Sequence, residues 1–302
     1  MTPATWPVRL ARSCLRIALG TVAALALWIG GLGVTGGVEA KFYYPDRFVY
    51  ATPAAAGLRF EEVWFDSADG ARLHGWFVPA VGTARGTVVH FHGNAQNMTA
   101  HFAFVDWLPH RGFNVFAFDY RGYGASEGRP GRRGLIEDGR AAIETVRRRL
   151  DVDPDRVVVF GQSLGGACAL ALLGREPALG VRAVAADSAF FSYRSIVEDK
   201  LGELPVLGWF RRPLARWLID DEWSPGSVVG RIAPTPLLLL HGSRDRVIPA
   251  SHSRRLFEAA GEPKTLWLIP GLDHTEAIVD ERGPWRDRLV DFFLSALDAP
   301  RK

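Results

Sequence analysis

From Phe60 onward, short runs rich in β-branched and aromatic residues alternate with longer stretches whose apolar positions recur every three or four residues. That alternation predicts a mainly parallel sheet with helices on its faces. Residues 63–65 and 73–78 flank Asp69-Gly70 and predict an antiparallel hairpin opening the sheet. Strands are expected over 87–91, 113–118, 156–160, 181–186, 236–240 and 265–269. The run 113–118 is nearly all apolar, as a strand covered on both faces should be. Helices are expected over 98–110, 135–150, 163–173, 252–260 and 285–297. In the second of these, Leu135, Ala142, Ile143, Val146 and Leu150 mark one buried stripe among Arg and Glu. Residues 190–232 interrupt the alternation with a segment far longer than an ordinary connection, rich in aromatic and basic side chains. A cap over the active-site end of the sheet is the simplest reading.

The N-terminus departs from this pattern. Residues 17–38 run 22 positions without a charge, just after Arg9, Arg12 and Arg16. That length can span a bilayer, and arginines ahead of it place the N-terminus in the cytoplasm and the remainder outside. A retained signal-anchor is the leading expectation. A cleaved signal peptide is the alternative, because Val38-Glu39-Ala40 offers suitable spacing for cleavage after Ala40. A buried N-terminal helix is the third. Two regions follow: 1–40 as anchor or signal, and 41–302 as a catalytic domain with its cap at about 190–232. Cys14 precedes the apolar run, whereas a lipid-modified cysteine should follow it.

Composition excludes more than it identifies. With 48% hydrophobic and 23% charged residues the chain is ordinary globular material. The first 40 residues supply +2 of the net charge of +3, so the rest carries no basic footprint for nucleic acid. Cys14 and Cys168 are the only cysteines and form no metal-binding cluster.

The strongest chemical signal is Gly161-Gln162-Ser163-Leu164-Gly165, which follows the apolar run 157–160 and leads into an Ala- and Leu-rich helix. The glycines permit a sharp turn that lifts the serine clear of the sheet. A serine hydroxyl needs a histidine base, and the histidine a carboxylate to fix its tautomer. His274, in a loop just after the last strand, is the expected base among eight histidines. Asp245, following His241-Gly242, is the expected acid, with Asp187 after the preceding strand as its alternative. An intermediate of this chemistry also needs two preorganised N–H groups. Leu164 should supply one and Asn94 the other, with Ala95 next in line. His92 reads as a structural residue of its turn, and Asp119 and Arg121 as anchors of the turn-rich loop from Asp119 to Gly128. Gln162 reads either as part of an acyl pocket or as a neutral spacer.

Taken together, His92-Gly93-Asn94, Asp119-Tyr120-Arg121-Gly122-Tyr123-Gly124, the Ser163 motif, His241-Gly242 with Asp245, and His274 resemble the α/β-hydrolase superfamily over about residues 60–298. Within it, the chain resembles the membrane-anchored serine aminopeptidase-like hydrolases. The resemblance implies a mainly parallel sheet of the eight-stranded type with flanking helices, the triad Ser163, Asp245 and His274, and neither cofactor nor metal. The expected reaction is hydrolysis of a small-molecule carboxylic ester, lipid-like if the aromatic cap binds an acyl chain. An amidase or peptidase, a thioesterase, and a catalytically idle membrane-tethered scaffold are the alternatives.

Overall fold

A computed structural model describes residues 37–281 and 283–300. In chain order its elements are β1 (Tyr44–Pro45), β2 (Glu61–Asp66), β3 (Arg72–Val78), β4 (Gly86–Phe91), β5 (Ala95–Gln96), α1 (Met98–His101), β6 (Phe113–Phe118), α2 (Arg132–Arg147), β7 (Val157–Gln162), α3 (Leu164–Arg175) and β8 (Val184–Asp187). There follow α4 (Tyr193–Gly202), α5 (Arg211–Leu218), β9 (Leu237–Gly242), α6 (Ser251–Ala259), β10 (Lys264–Ile269), α7 (Glu276–Val279) and α8 (Trp285–Asp298), with several single 3₁₀ turns between elements.

Eight strands form one sheet in the order β10-β9-β8-β7-β4-β6-β3-β2. Pairing is parallel from β10 through β6, whereas β3 runs antiparallel to both β6 and β2. The expected hairpin is therefore β2–β3. In β4, β6, β7 and β9 every residue is buried, the result of helices covering both faces of a largely apolar strand.

The connectivity fixes where a site can form. The chain leaves β4 for β6 on one side of it and returns through α2 to β7 on the other. Loops leaving the carboxyl ends of β4 and β7 thus part in opposite directions, opening a crevice between Phe91–Asn94 and Gln162–Ser163.

Two expectations shift in detail, and one small element is new. The helix expected over 98–110 is one turn, α1, followed by two 3₁₀ turns at Phe102–Phe104 and Pro109–Arg111, because Pro109 cannot sit in a helix interior. The helix expected from 135 begins at Arg132 and ends at Arg147, leaving Leu150 fully exposed beyond it. The small parallel pair β1–β5 gave no signal in the sequence, being two residues long on each side.

The chain divides into two compact units. Of the described residues, the larger comprises Tyr43–Ile196 and those from Asp221 onward, and holds the whole eight-stranded sheet; the smaller comprises Val197–Asp220 with residues 37–42. Among the described residues no helix is long and apolar enough to cross a membrane, and residues 17–36 of the apolar run lie outside them.

Candidate active site

Ser163 stands between β7 and α3 with φ 51° and ψ −116°, a conformation that is strained for any residue with a side chain. Its surroundings impose this. A Cβ on Gly165 would overlap the carbonyl oxygens of Phe91 and His92, and one on Gly161 would come within 2.7 Å of the Gly165 carbonyl oxygen. Both glycines of the motif are thus required by close backbone approach, which lets α3 start hard against β4. The Ser163 N–H donates to the Asp187 carbonyl on β8 at 2.8 Å and ties the turn to the sheet.

Asp245 lies just beyond β9, and its carboxylate is saturated. Oδ1 accepts the N–H groups of Val247 and Ile248 at 2.9 and 2.8 Å. Oδ2 lies 2.7 Å from His274 Nδ1 and 3.1 Å from His241 Nε2. Burial alone would raise the carboxyl's pKa, but the hydrogen bonds from His241 and His274 overcome it and hold Asp245 well below the usual range. An ionised carboxylate only accepts, so His274 carries its proton on Nδ1 and leaves Nε2 with a free lone pair. That is the tautomer of a general base.

The loop carrying His274 is stitched to the loop carrying Asp245. Arg246 donates from its backbone N–H to Asp273 Oδ1 at 3.0 Å and from Nε to Oδ2 at 2.6 Å. A Cβ on Gly242 would overlap the carbonyls of Leu272 and Asp273, so glycine is what allows the two loops to touch. Beyond His274, the Thr275 N–H reaches Ser188 Oγ at 3.2 Å. Asp187 and Ser188, at the end of β8, therefore hold the nucleophile turn on one side and the base loop on the other. Among the described residues Ser163 Oγ makes no hydrogen bond to His274, whereas His274 and Asp245 are joined directly.

Asp187, the alternative acid, is fully buried and its Oδ1 takes only the Ser188 hydroxyl, at 3.0 Å. Its Oδ2 has no hydrogen-bond partner, and burial pushes its pKa up to about 6. No histidine hydrogen-bonds it, so the geometry favours Asp245.

The two expected oxyanion donors flank the crevice. Leu164 opens α3, where an N–H has no carbonyl one turn back in the helix. Asn94 sits in a loop held by residues that the sequence did not single out. Its carbonyl accepts the Tyr44 N–H and the Tyr123 hydroxyl, both at 2.9 Å. Asn97, buried, caps α1 through Thr99 N–H at 2.9 Å and donates Nδ2 to Asp46 Oδ1 at 2.7 Å and to the Phe48 carbonyl at 2.8 Å. Segment 44–50 thus braces the loop that carries Asn94. The asparagine in an N-cap position before Met98-Thr99 was the available signal.

His92 is buried, with Nδ1 2.8 Å from the Gly93 carbonyl and Nε2 3.5 Å from Asp119 Oδ1. Burial lowers its pKa well below the ordinary value, so it is neutral. Burial also pushes Asp119 up to about 7, against a hydrogen bond from the Met98 N–H. Arg121 clasps Asp138 and Asp69 together at 2.7 and 2.6 Å. Gln162 Oε1 lies 2.9 Å from His90 Nε2, within the sheet layer.

A family model described as serine aminopeptidase, S33, matches residues 82–229. The YfhR protein of Escherichia coli K12 is 45% identical over 262 residues, covering 85% of this chain and 87% of its own. The alpha/beta hydrolase domain-containing protein WAV2 of Arabidopsis thaliana is 34% identical over 261 residues, covering 79% and 82%. This chain belongs to the α/β-hydrolase superfamily. The fold agrees: the Pyrococcus furiosus esterase Pf2001 superposes with a TM-score of 0.68 at 21% identity, over 84% of this hydrolase and 99% of the esterase. Among the described residues of the hydrolase, no group of three or more His, Cys, Asp or Glu is arranged to hold a metal ion. Cys168 is buried in α3, where burial pushes its thiol up to about 12, so it is no competing nucleophile.

Proposed function

We propose that this hydrolase cleaves a carboxylic ester through an acyl-Ser163 intermediate, with His274 as base and acid and Asp245 as its partner. The observation that carries the reading is the Asp245 carboxylate, which fixes His274 in the base tautomer, while Ser163 is held in a strained turn at the end of β7. In the first step Ser163 Oγ attacks the ester carbonyl carbon while its proton passes to His274 Nε2. The oxygen that becomes negative is met by the N–H groups of Leu164 and Asn94, fixed in advance by α3 and by the braced loop. His274 then gives its proton to the leaving alkoxide. In the second step a water, deprotonated by the same Nε2, releases the acid and restores Ser163.

An ester suits this machinery because its carbonyl is more electrophilic than an amide's and its alkoxide is the better leaving group, with His274 supplying the one proton it takes. Amide and thioester cleavage by the same groups are the chemical alternatives, and an idle scaffold is the non-catalytic one. We further propose that residues 17–38 attach the chain to a membrane with residues 41–302 on the extracytoplasmic side, or direct its export with cleavage after Ala40, and that 190–232 form the cap region. The uncharged 22-residue run behind three arginines supports this.

The test is hydrolysis of a nitrophenyl ester series of increasing acyl length by the full chain and by Ser163→Ala, with labelling by a serine-directed fluorophosphonate. Turnover and labelling that vanish together in the variant are expected. Labelling without ester turnover would move the substrate to an amide or thioester. Neither, in folded protein, would favour the scaffold. Protease protection in sealed vesicles tests the topology, and a cytoplasmic catalytic domain would overturn it.

A further inference from the structure

The smaller unit presents a surface that catalysis does not use. Between Leu204 and Ile219 the chain carries Arg211, Arg212 and Arg216 and not one acidic residue. All three arginines are exposed, and none makes an ion pair or side-chain hydrogen bond among the described residues. Interleaved with them are Val206, Trp209, Phe210 and Trp217, exposed by 73, 89, 56 and 52%. Their exposure follows from the helical register. In α5, Leu214, Ala215 and Leu218 form the half-buried or buried stripe, which leaves Arg212, Arg216 and Trp217 on the opposite side. Trp209 and Phe210 lie in the 3₁₀ turn that leads into it. Singly exposed apolar side chains are ordinary, but four in twelve residues, interleaved with three unpaired cations, mark an interaction surface.

We infer that residues 204–218 dock on a lipid surface bearing anionic headgroups. Indole and phenyl rings settle at the headgroup level of a bilayer, where their apolar bodies leave water. Arginine forks pair with lipid phosphates beside them. A second copy of the chain is the wrong occupant, because a two-fold interface sets a patch against itself and would place three unpaired arginines against three more. The uncharged run at residues 17–38 is long enough to hold the full chain at a bilayer, where such a surface would meet lipid. The inference is independent of which acyl bond is cleaved.

The test uses the full chain with Cys14→Ser and an environment-sensitive NBD label at Trp209→Cys. Leu150→Cys, in the larger unit and fully exposed, is the control. Both proteins are added to phosphatidylcholine vesicles with and without phosphatidylglycerol, and circular dichroism confirms that they are folded. The label at 209 should shift to the blue and be quenched by brominated lipid, chiefly with phosphatidylglycerol, while the label at 150 does neither. Changing Arg211, Arg212 and Arg216 together to Gln should weaken the phosphatidylglycerol preference by about tenfold or more, since each arginine near an anionic surface favours the bound state about fivefold. A label at 209 that behaves like the one at 150 overturns the inference. So does an equal response in both vesicle types. A shift that appears without lipid and grows with protein concentration, or on adding an acidic protein, would assign the surface to a protein partner instead.

Discussion

Replacing Asp245 by Asn tests the acid assignment at constant volume. The native carboxylate accepts four hydrogen bonds: two from the Val247 and Ile248 N–H groups, one from His274 Nδ1 and one from His241 Nε2. An amide can accept on one side only. If its oxygen keeps the two backbone donors, its NH₂ faces both histidines, and His274 must turn its lone pair to Nδ1 and its proton to Nε2. That tautomer cannot take the Ser163 proton. His241 cannot relieve the conflict, because its Nε2 also lies 2.8 Å from the Ile248 carbonyl while Nδ1 faces Ser253 Oγ at 2.7 Å, which fixes its proton on Nε2. If the amide flips instead, its NH₂ opposes two backbone N–H groups inside the fold, which costs about 1–3 kcal/mol for each donor left unpaired. The first orientation opposes one donor, His241 Nε2, where the flipped one opposes two, so it is the one expected, and its wrong-tautomer triad loses on the order of 10⁴ in kcat, or about 5 kcal/mol of transition-state stabilisation. The assay is steady-state ester hydrolysis, normalised to the fraction of enzyme labelled by fluorophosphonate, beside Asp187→Asn. Asp187 has no histidine partner, so its variant should retain turnover within about tenfold. If Asp187→Asn collapses while Asp245→Asn stays within tenfold of the native enzyme, the acid is on β8 and the reasoning fails.

Three further outcomes follow from the surroundings of the triad. Asn97→Ala should lower kcat more than tenfold with KM nearly unchanged, since it frees the oxyanion loop without touching substrate. Asn97→Asp should not rescue it, because a second carboxylate would then face Asp46 Oδ1 at 2.7 Å; recovery with Asp would show that only the helix cap mattered. Burial holds Asp119 up to about 7 against an ordinary 3.8, so between those values the folded chain keeps a proton that the unfolded chain has lost, and stability falls as pH rises across that window. Thermal unfolding of Asp119→Asn from pH 4 to 7 should fall less steeply than that of the native chain, and an unchanged slope would mean the group titrates normally. Arg121→Ala strands the buried Asp138 carboxylate and should cost about 3–5 kcal/mol in urea unfolding, whereas a loss below about 1 kcal/mol would mean the ion pair is replaced by water.

What the sequence made legible is what short-range physics dictates. The strands appear in it because a strand buried on both faces has to be mostly apolar, as in β4 and β6, and the Ser163 turn appears because an apolar run, G-x-S-x-G and a helix follow one another locally, although the contacts that require Gly165 come from Phe91 and His92. His274 and Asp245 were visible through their places after the last two strands, although the distance between them was not. The residues whose roles escaped notice have ordinary identities. Asn97 reads as one more polar turn residue until Asp46, fifty-one positions earlier, is found against its amide. His241 reads as a strand histidine until the loop after β9 folds back on it and makes it a second donor to the Asp245 carboxylate. The helix expected over 98–110 failed for a related reason: its apolar positions face the core across two 3₁₀ turns, a register that hydrophobic spacing alone does not separate from an α-helix. The braced oxyanion loop and the doubly held Asp245 share one logic. Each is fixed by hydrogen bonds from groups around it, Asn97 and segment 44–50 for the loop and His241 with the Val247 and Ile248 N–H groups for the carboxylate, so substitutions such as those at Asn97 should be felt in kcat before KM.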